Sequence, residues 1–281
     1  MAFPRYVAGV EQPREFVFDI PVGAGVATRA NADGPPATPK DAATVILVRD
    51  GAEGVEVFLQ QRVKGMPFAG GMTVFPGGGV DSRDADASVA WAGPEPSWWA
   101  SRFGCDDSLA RALTCAAVRE TFEECGVLLA GSAAEVVTDV TPYRQARADL
   151  ESREISLAGF LAAEGLTLRA DLLRPWAHWI TPEAEPRRYD TRFFVAKLPE
   201  GQHADGATSE ADSSGWQRPE DAIAEAREGR RMLMPPTWLT LSELAAFETA
   251  GDVLAAEREI VRIAPTLIRD HDKVRIVLEP R

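Results

Sequence analysis

The chain has 281 residues, 45% hydrophobic and 26% charged, a composition typical of globular proteins and not of disordered or fibrous ones. Its formal net charge of −13, with no stripe of Lys and Arg, argues against a groove for nucleic acid, because a phosphate backbone needs a basic surface. No apolar run approaches the ~20 residues of a membrane span, and the first residues do not resemble a signal peptide. We therefore expect a cytoplasmic protein that binds neither nucleic acid nor membrane.

The three cysteines predict neither a zinc site nor a disulfide framework. Cys105, Cys115 and Cys125 are too far apart for the short cysteine pairs of zinc sites, and paired disulfides would leave one over. Free thiols in a reducing compartment are the simplest interpretation.

The first predicted elements follow an N-terminal extension, residues 1–40, which is rich in Pro, Gly and Ala and contains one candidate strand at Phe16–Ile20. We assign residues 41–281 to the main domain. From Ala43, two β-branched segments joined at Asp50-Gly51 predict a β-hairpin. The segment GGMTVFPGGG that follows predicts a short strand running into a glycine loop, where the backbone turns tightly or approaches a ligand.

An insertion and a long helix come next. Residues 85–108 contain three tryptophans and two prolines without a clear period, and we interpret them as an insertion. A helix is predicted over residues 107–125, because this stretch has no helix breaker. Asp107 or Ser108 is the expected N-cap, and Gly126 is expected to end the helix in a left-handed conformation.

The second half of the chain alternates between predicted helices and strands. Helices are predicted at Pro142–Ala163, 219–229 and 237–251, and strands at 177–182, 191–199 and Lys273–Leu278. Strands on either side of a central helix, with further helices towards the end, predict a mixed α/β or α+β fold.

The long helix carries carboxylates on the face that should be apolar. On a helical wheel, Glu120, Glu123 and Glu124 continue the apolar stripe of Leu109 and Leu113. The three like charges repel one another, and they lie at the helix end where the macrodipole disfavours anions. A hard divalent cation such as Mg²⁺ or Mn²⁺ would resolve this conflict, because it prefers carboxylate oxygens. The alternative is a solvated, charged end of a surface helix.

The string RETFEECGV, Arg119–Val127, resembles the second half of the Nudix box. Upstream, Gly78 is followed after five residues by Asp84, where the box has a glutamate, and the preceding FPGGG is similar to the family's entry to this motif. The largest departure is length, since 34 residues separate Asp84 from Arg119 where the box has seven. A long insertion at this place is found in a Nudix subgroup typified by a peroxisomal coenzyme A diphosphatase. The segments His178–Ala196 and Leu233–Leu241 also resemble that subgroup.

This resemblance implies a Nudix α/β/α sandwich with a mixed sheet, extended by the insertion and by C-terminal helices. It further implies a pyrophosphatase in which Glu120, Glu123 and Glu124, with a backbone carbonyl of the Gly77–Gly79 loop such as that of Gly78, hold Mg²⁺ or Mn²⁺. The glycines also fit a simple tight turn. The C-terminal residues LEPR are not a peroxisomal signal, so we do not expect that location to apply.

Other site residues are implied by the same resemblance. Arg119 is expected to hold a glutamate of the site by a charge-assisted hydrogen bond, the alternative being a surface arginine. Glu210, six residues before Trp216, resembles the glutamate of a late loop that some Nudix enzymes use as a base or extra ligand, but solvated loop glutamates are more common.

Three arginines are candidates for substrate binding. Arg62 precedes the glycine loop, as in a coenzyme A-directed motif of a related subgroup, although Pro67 stands where that motif has a second arginine. Arg187 and Arg188 are the candidate phosphate contacts outside the box. The tryptophans of the insertion, Trp91, Trp98 and Trp99, either stack on substrate, close over the site or pack the insertion onto the domain, and we favour packing.

Several functions remain open from the sequence. The first is hydrolysis of coenzyme A or acyl-coenzyme A at its phosphoanhydride bond. The second is the same reaction on NADH, ADP-ribose or a nucleotide sugar, and the third, of a different class, is an inactive module that binds a nucleotide to regulate a partner. The intact helix glutamates favour an enzyme acting on a small nucleotide substrate. A homodimer is the default expectation for its assembly.

Overall fold

The computed structural model describes residues 18–21, 35–66, 68–270 and 273–278. Its strands are β1 (Phe18–Pro21), β2 (Lys40–Gly51), β3 (Gly54–Arg62), β4 (Thr73–Val74), β5 (Gly77–Gly79), β6 (Trp91–Ala92), β7 (Ala130–Gly131), β8 (Thr167–Arg169), β9 (Leu173–Ile180), β10 (Tyr189–Lys197), β11 (Ala211–Gln217), β12 (Arg262–Ile263), β13 (Thr266–Asp270) and β14 (Lys273–Val277). Its helices are α1 (Pro96–Phe103), α2 (Asp107–Cys125), α3 (Arg144–Glu151), α4 (Leu157–Glu164), α5 (Pro219–Arg227), α6 (Pro235–Leu244) and α7 (Ala250–Ala255).

A mixed sheet with strand order β11-β3-β2-β10-β9-β12 forms the centre of the fold. The predicted hairpin is present as the antiparallel pair β2–β3, whereas β10 runs parallel to β2. The short strand β4 pairs antiparallel with β3, and β5 pairs antiparallel with β2. The glycine loop therefore lies directly on the central sheet. The mixed α+β class predicted from the sequence is confirmed.

Both faces of this sheet are covered, because successive side chains of β2 pack alternately into two different cores. Val45 and Leu47 pack in a core with helix α2, while Ile46 and Val48 pack on the opposite face with helices α5 and α6. All four side chains are fully buried. A strand that is apolar on both faces requires layers on both sides, and this gives the α/β/α sandwich.

Several predicted elements are subdivided in the structure. The stretch Pro142–Ala163 contains two helices, α3 and α4, separated at Arg153, and the stretch 237–251 contains the end of α6 and the start of α7. The insertion also contains a helix, α1, that was not predicted. Candidate strand Phe16–Ile20 is present as β1 from Phe18 onward, its first two residues lying outside the described part.

Within the predicted extension, β1 pairs antiparallel with β14 near the end of the chain, and Lys40 already belongs to β2. None of the described helices combines the length and the apolarity needed to cross a bilayer.

Candidate active site

Helix α2 places the three predicted glutamates against the glycine loop. Asp106 caps its N-terminus by accepting a hydrogen bond from the Leu109 N–H (2.8 Å), so the predicted cap at Asp107 or Ser108 is wrong by one or two residues. Gly126 ends the helix with φ 69°, as predicted, in the left-handed conformation that glycine adopts without strain. The helix therefore ends one residue after Glu124, at Cys125.

The glycine loop makes close contact with two of these carboxylates. The Gly77 N–H donates to Oε2 of Glu124 at 3.0 Å. A side chain at Gly78 would collide with the carboxylate of Glu120, and one at Gly77 would collide with the backbone of β2. The loop is thus a tight turn that also brings backbone against the acidic end of α2.

Arg119 connects the two halves of the box. Its guanidinium binds both carboxylate oxygens of Asp84 (3.0 Å each), Oε1 of Glu120 (2.8 Å), Oε2 of Glu123 (3.2 Å) and the carbonyl of Gly79 (2.9 Å). Only 11% of its side chain is exposed, so it is not a surface arginine. Asp84 is also buried, and Arg119 is its ion-pair partner. The residues separated by the insertion are therefore in direct contact.

The electrostatics of the three glutamates are dominated by burial. Burial raises the pKa of Glu120 to about 7, a rise that Arg119 opposes. Burial also raises the pKa of Glu123, again opposed by Arg119, and raises that of Glu124 well above its usual range, where the charge of Glu120 adds to the effect. Ionised carboxylates at this place require further positive charge.

The chemistry of the donor set fits a divalent cation. Carboxylate and backbone carbonyl oxygens are the ligands that hard cations prefer, and this end of α2 offers both. Among the described residues, no group of three or more His, Cys, Asp or Glu side chains already has the arrangement of a metal site. The carboxylates instead contact Arg119 and the Gly77 amide.

We expect Mg²⁺ or Mn²⁺ to stabilise the protein more strongly at high pH than at low pH. Because burial raises the pKa values of Glu120 and Glu124, their contribution to the free energy of unfolding is fully present below about pH 4.5 and is lost as the pH rises towards the folded-state values. A bound cation offsets this loss, and a saturating cation should raise Tm by about 5–10 °C at pH 8.

Differential scanning fluorimetry at pH 5 and pH 8, with each metal and with EDTA, measures this effect. NaCl at equal ionic strength, without divalent cations, is the control for general screening of charges. Equal metal-induced shifts at the two pH values would contradict the expectation.

A cleft of about 550 Å³ opens above the acidic end of α2. Its floor includes the three glutamates, Arg119 and the glycine loop, and one wall is apolar, with Phe75, Trp179, Phe193 and Pro236 among its residues. Polar and charged groups that converge beside apolar side chains are typical of a small-molecule site. The cleft has room for a ligand with both anionic and apolar parts.

Arg62 and Glu210 lie in this cleft and bind each other. Nη2 of Arg62 is 2.9 Å from Oε2 of Glu210, and the Glu210 carbonyl accepts a hydrogen bond from the Val63 N–H. Nε of Arg62 is buried and has no hydrogen-bond partner among the described residues. The candidate base is thus placed in the cleft by an arginine that was predicted to bind substrate. Pro67, the departure from the coenzyme A-directed motif, lies outside the described residues.

The structure separates the other two predicted arginines. Arg187 lines the cleft, but Arg188 does not. The guanidinium of Arg188 donates to the carbonyls of Thr181 (3.0 Å) and Ala37 (2.8 Å), and so it fastens this loop to the segment before β2. The prediction that Arg188 contacts substrate is not supported by this position.

The insertion packs on the domain and contributes no residue to the cleft. Trp99 is fully buried and contacts Phe103 and Phe194, and Trp98 contacts Trp99 edge-on. Trp91 is partly buried, and its indole N–H donates to the Pro94 carbonyl (2.9 Å). The interpretation of these tryptophans as packing residues agrees with their positions.

Two residues near the site were not identified from the sequence. Arg147 of α3 donates to the Glu123 carbonyl (3.0 Å) and pairs with Asp205, and it thereby supplies a cation at the C-terminal end of α2, whose last turn has no basic residue. Arg153, which follows the C-cap residue of α3, lines the cleft and has φ 63°. No sequence motif indicates either residue, because both reach the site through the fold.

Comparisons with known proteins place this geometry in a family. The sequence-family model of the NUDT19 Nudix domain matches residues 101–244, about half of the chain. A putative nudix hydrolase 7 of Caenorhabditis elegans is 29% identical over 206 residues, covering 73% of this chain and 60% of that protein. The human acyl-coenzyme A diphosphatase NUDT19 is 28% identical over 243 residues, covering 72% of this chain and 64% of that protein. The chain thus spans less than two thirds of both relatives.

Among solved structures, a NUDIX hydrolase from Alicyclobacillus acidocaldarius superposes with a TM-score of 0.69. It is 29% identical in sequence, and the match covers 79% of this chain and 98% of that one. With a matching family model, a shared fold and the box residues gathered at one end of α2, this chain belongs to the Nudix hydrolases, in the group of the NUDT19 Nudix domain.

Proposed function

We propose that the protein hydrolyses a phosphoanhydride bond in a nucleoside-diphosphate-linked substrate, with coenzyme A or an acyl-coenzyme A as the substrate and Mg²⁺ or Mn²⁺ as the cofactor. The observation that carries this proposal is the acidic end of α2, where three glutamates, Arg119 and the glycine loop meet at the floor of one cleft. The relatives named acyl-coenzyme A diphosphatase support the choice of substrate.

Glu120, Glu123 and Glu124 are the residues that would hold the metal, together with a carbonyl of the Gly77–Gly79 loop. When bound, a divalent cation neutralises phosphate oxygens and lowers the pKa of an attacking water. Arg119 orients Glu120 and Glu123, since its guanidinium contacts both carboxylates and is itself held by Asp84. These contacts fix the glutamates before substrate arrives.

Glu210 is the candidate general base. It projects into the cleft from the loop before β11, and its carboxylate is held by Arg62. Arg62 is also a candidate substrate contact, because its buried Nε has no partner among the described residues. Arg187, which also lines the cleft, is a second candidate contact for phosphate. Guanidinium groups suit this task because they bind phosphate oxygens in pairs.

The apolar wall favours a substrate with more than a nucleotide. Trp179, Leu233 and Pro236 line it, together with Leu267 of β13. A pantetheine arm or an acyl chain would bury apolar surface there at about 25 cal/mol per Å², whereas the second sugar of ADP-ribose would bury mainly hydroxyl groups. This observation ranks ADP-ribose and nucleotide sugars behind coenzyme A derivatives, and NADH remains the main alternative substrate.

Chromatography of reaction products tests the proposal. Purified protein is incubated with Mg²⁺ or Mn²⁺ and, separately, coenzyme A, an acyl-coenzyme A, NADH, ADP-ribose and a nucleoside triphosphate, each with an EDTA control. We expect coenzyme A derivatives to yield 4′-phosphopantetheine or its acyl form together with adenosine 3′,5′-bisphosphate. Preferred cleavage of another compound would identify that compound as the substrate in place of coenzyme A. If the folded protein cleaves none of them, a nucleotide-binding regulatory module becomes the favoured function.

A further inference from the structure

The cleft contains more acidic than basic side chains, and two of its four described arginines are already paired. Its described lining contains six glutamates and four arginines, namely Glu120, Glu123, Glu124, Glu151, Glu185, Glu210, Arg62, Arg119, Arg153 and Arg187. Arg62 is paired with Glu210, and Arg119 with Asp84, Glu120 and Glu123. Within the described part of the chain, Arg153 and Arg187 form no ion pair, so they are the cations available to an anionic ligand.

Arg153 occupies a backbone position that normally belongs to glycine. It follows helix α3 in the left-handed conformation (φ 63°), and its N–H donates to the Leu150 carbonyl (2.9 Å). Three other helices end in this conformation on glycines, with φ values between 62° and 69°, at Gly104, Gly126 and Gly165. Because glycine is the residue that enters this region without strain, an arginine here indicates a requirement for its side chain.

The strained backbone is held by the loop of the Nudix box. Nη1 of Arg83 donates to the carbonyls of Arg153 and Ile155 (3.2 Å each), and Arg83 is in turn paired with Asp81. Among the described residues, the only other non-glycine with positive φ is Ala69, which also lines the cleft. Strained residues that persist under such constraint are concentrated at ligand-binding sites.

We propose that Arg153 recognises a phosphate monoester of the substrate, separate from the diphosphate that is cleaved. This proposal rests on the proposed function, in which the diphosphate lies over the acidic end of α2. Arg153 is exposed, on the connection between α3 and α4, whereas the glutamates of the floor are largely buried. A permanently charged, planar guanidinium suits a dianionic phosphate, which it can bind through two parallel hydrogen bonds. Arg153 is thus a specificity-determining residue for substrates such as coenzyme A.

Coenzyme A and dephospho-coenzyme A differ by one phosphate monoester, and they therefore test this assignment. We expect the wild-type protein to prefer coenzyme A in kcat/KM by about 10- to 100-fold, the range of a charge-assisted contact. Arg153→Gly should remove this preference, change kcat/KM for dephospho-coenzyme A by less than about twofold, and leave Tm unchanged or higher because glycine relieves the backbone. Arg153→Lys should keep part of the preference, and Arg230→Gly, an exposed arginine outside the cleft, should keep all of it.

Two kinetic results overturn the assignment. An unchanged preference in Arg153→Gly means that the monoester binds elsewhere, and an equal loss for both substrates with a lower Tm means that Arg153 is structural. If neither coenzyme is cleaved, the proposed substrate fails, and calorimetric binding of adenosine 3′,5′-bisphosphate and of AMP decides the role of Arg153 separately. Tighter binding of the bisphosphate that is lost in Arg153→Gly supports the role, and equal binding of both nucleotides by the two proteins refutes it.

Discussion

Replacing Glu124 with glutamine should lower kcat for metal-dependent hydrolysis about a thousandfold. Glutamine has nearly the same shape and can still accept the Gly77 N–H bond, but it removes the charge that a cation requires. Loss of one ligand from a catalytic metal site costs several kcal/mol of transition-state stabilisation, and each 1.36 kcal/mol is a factor of ten. The variant should fold at least as stably as the wild type without metal, because it also removes repulsion with Glu120.

Steady-state kinetics and thermal unfolding, measured on the same samples, separate these effects. Glu164→Gln is the matched control, because this substitution makes the same chemical change away from the cleft. Glu164 is an exposed residue at the end of α4. We expect that control to retain full activity. A Glu124→Gln protein that keeps more than a tenth of the activity would remove Glu124 from the proposed metal ligands.

Replacing Arg119 with glutamine should destabilise the protein by about 3–5 kcal/mol, because it leaves the buried Asp84 without its ion-pair partner. For a protein of this size such a loss corresponds to a fall in Tm of about 10 °C. Activity should fall as well, since Glu120 and Glu123 lose the group that orients them.

A double-mutant cycle isolates the contact between Arg119 and Asp84. We expect Asp84→Asn to recover at least about 1 kcal/mol of the stability lost in Arg119→Gln, because neither partner then remains as an uncompensated buried charge. Arg49→Gln, which breaks the more exposed pair with Glu56, is the control and should cost no more than about 1 kcal/mol. Strictly additive effects of the two substitutions would mean that the pair contributes nothing beyond its separate members.

The parts of the fold that were predictable from the sequence are those with strong local signals. Helix α2 has no breaker, and a helix cap stands at each end of it. The hairpin of β2 and β3 has a turn at Asp50-Gly51 between two β-branched segments. Helix α1 had signals that were not used, namely Pro96 in its first turn and Gly104 after its end. The capping box of Thr249 and Asp252 likewise marks the start of α7.

Other features depend on contacts that no local pattern reveals. The break between α3 and α4 at Arg153 contains neither glycine nor proline, and it is held by Arg83 from the loop of the box. In the same way, Arg187 and Arg188 are adjacent in sequence, but only the fold decides that one faces the cleft and the other binds backbone carbonyls. The box motif identified the acidic end of α2, while the walls of the cleft come from distant parts of the chain.

The contact of Asp84 with Arg119 also bears on how this protein can diverge in sequence. Closing 34 residues instead of seven costs only about 1–1.5 kcal/mol of chain entropy, which is small beside the stability of about 5–15 kcal/mol of a folded domain. Since the insertion, residues 85–108, begins directly after Asp84 and lines no part of the cleft, its exposed residues can change without moving the glutamates. The middle of the motif is therefore a place where the protein can acquire a new surface, for assembly or for a partner, while its chemistry is conserved.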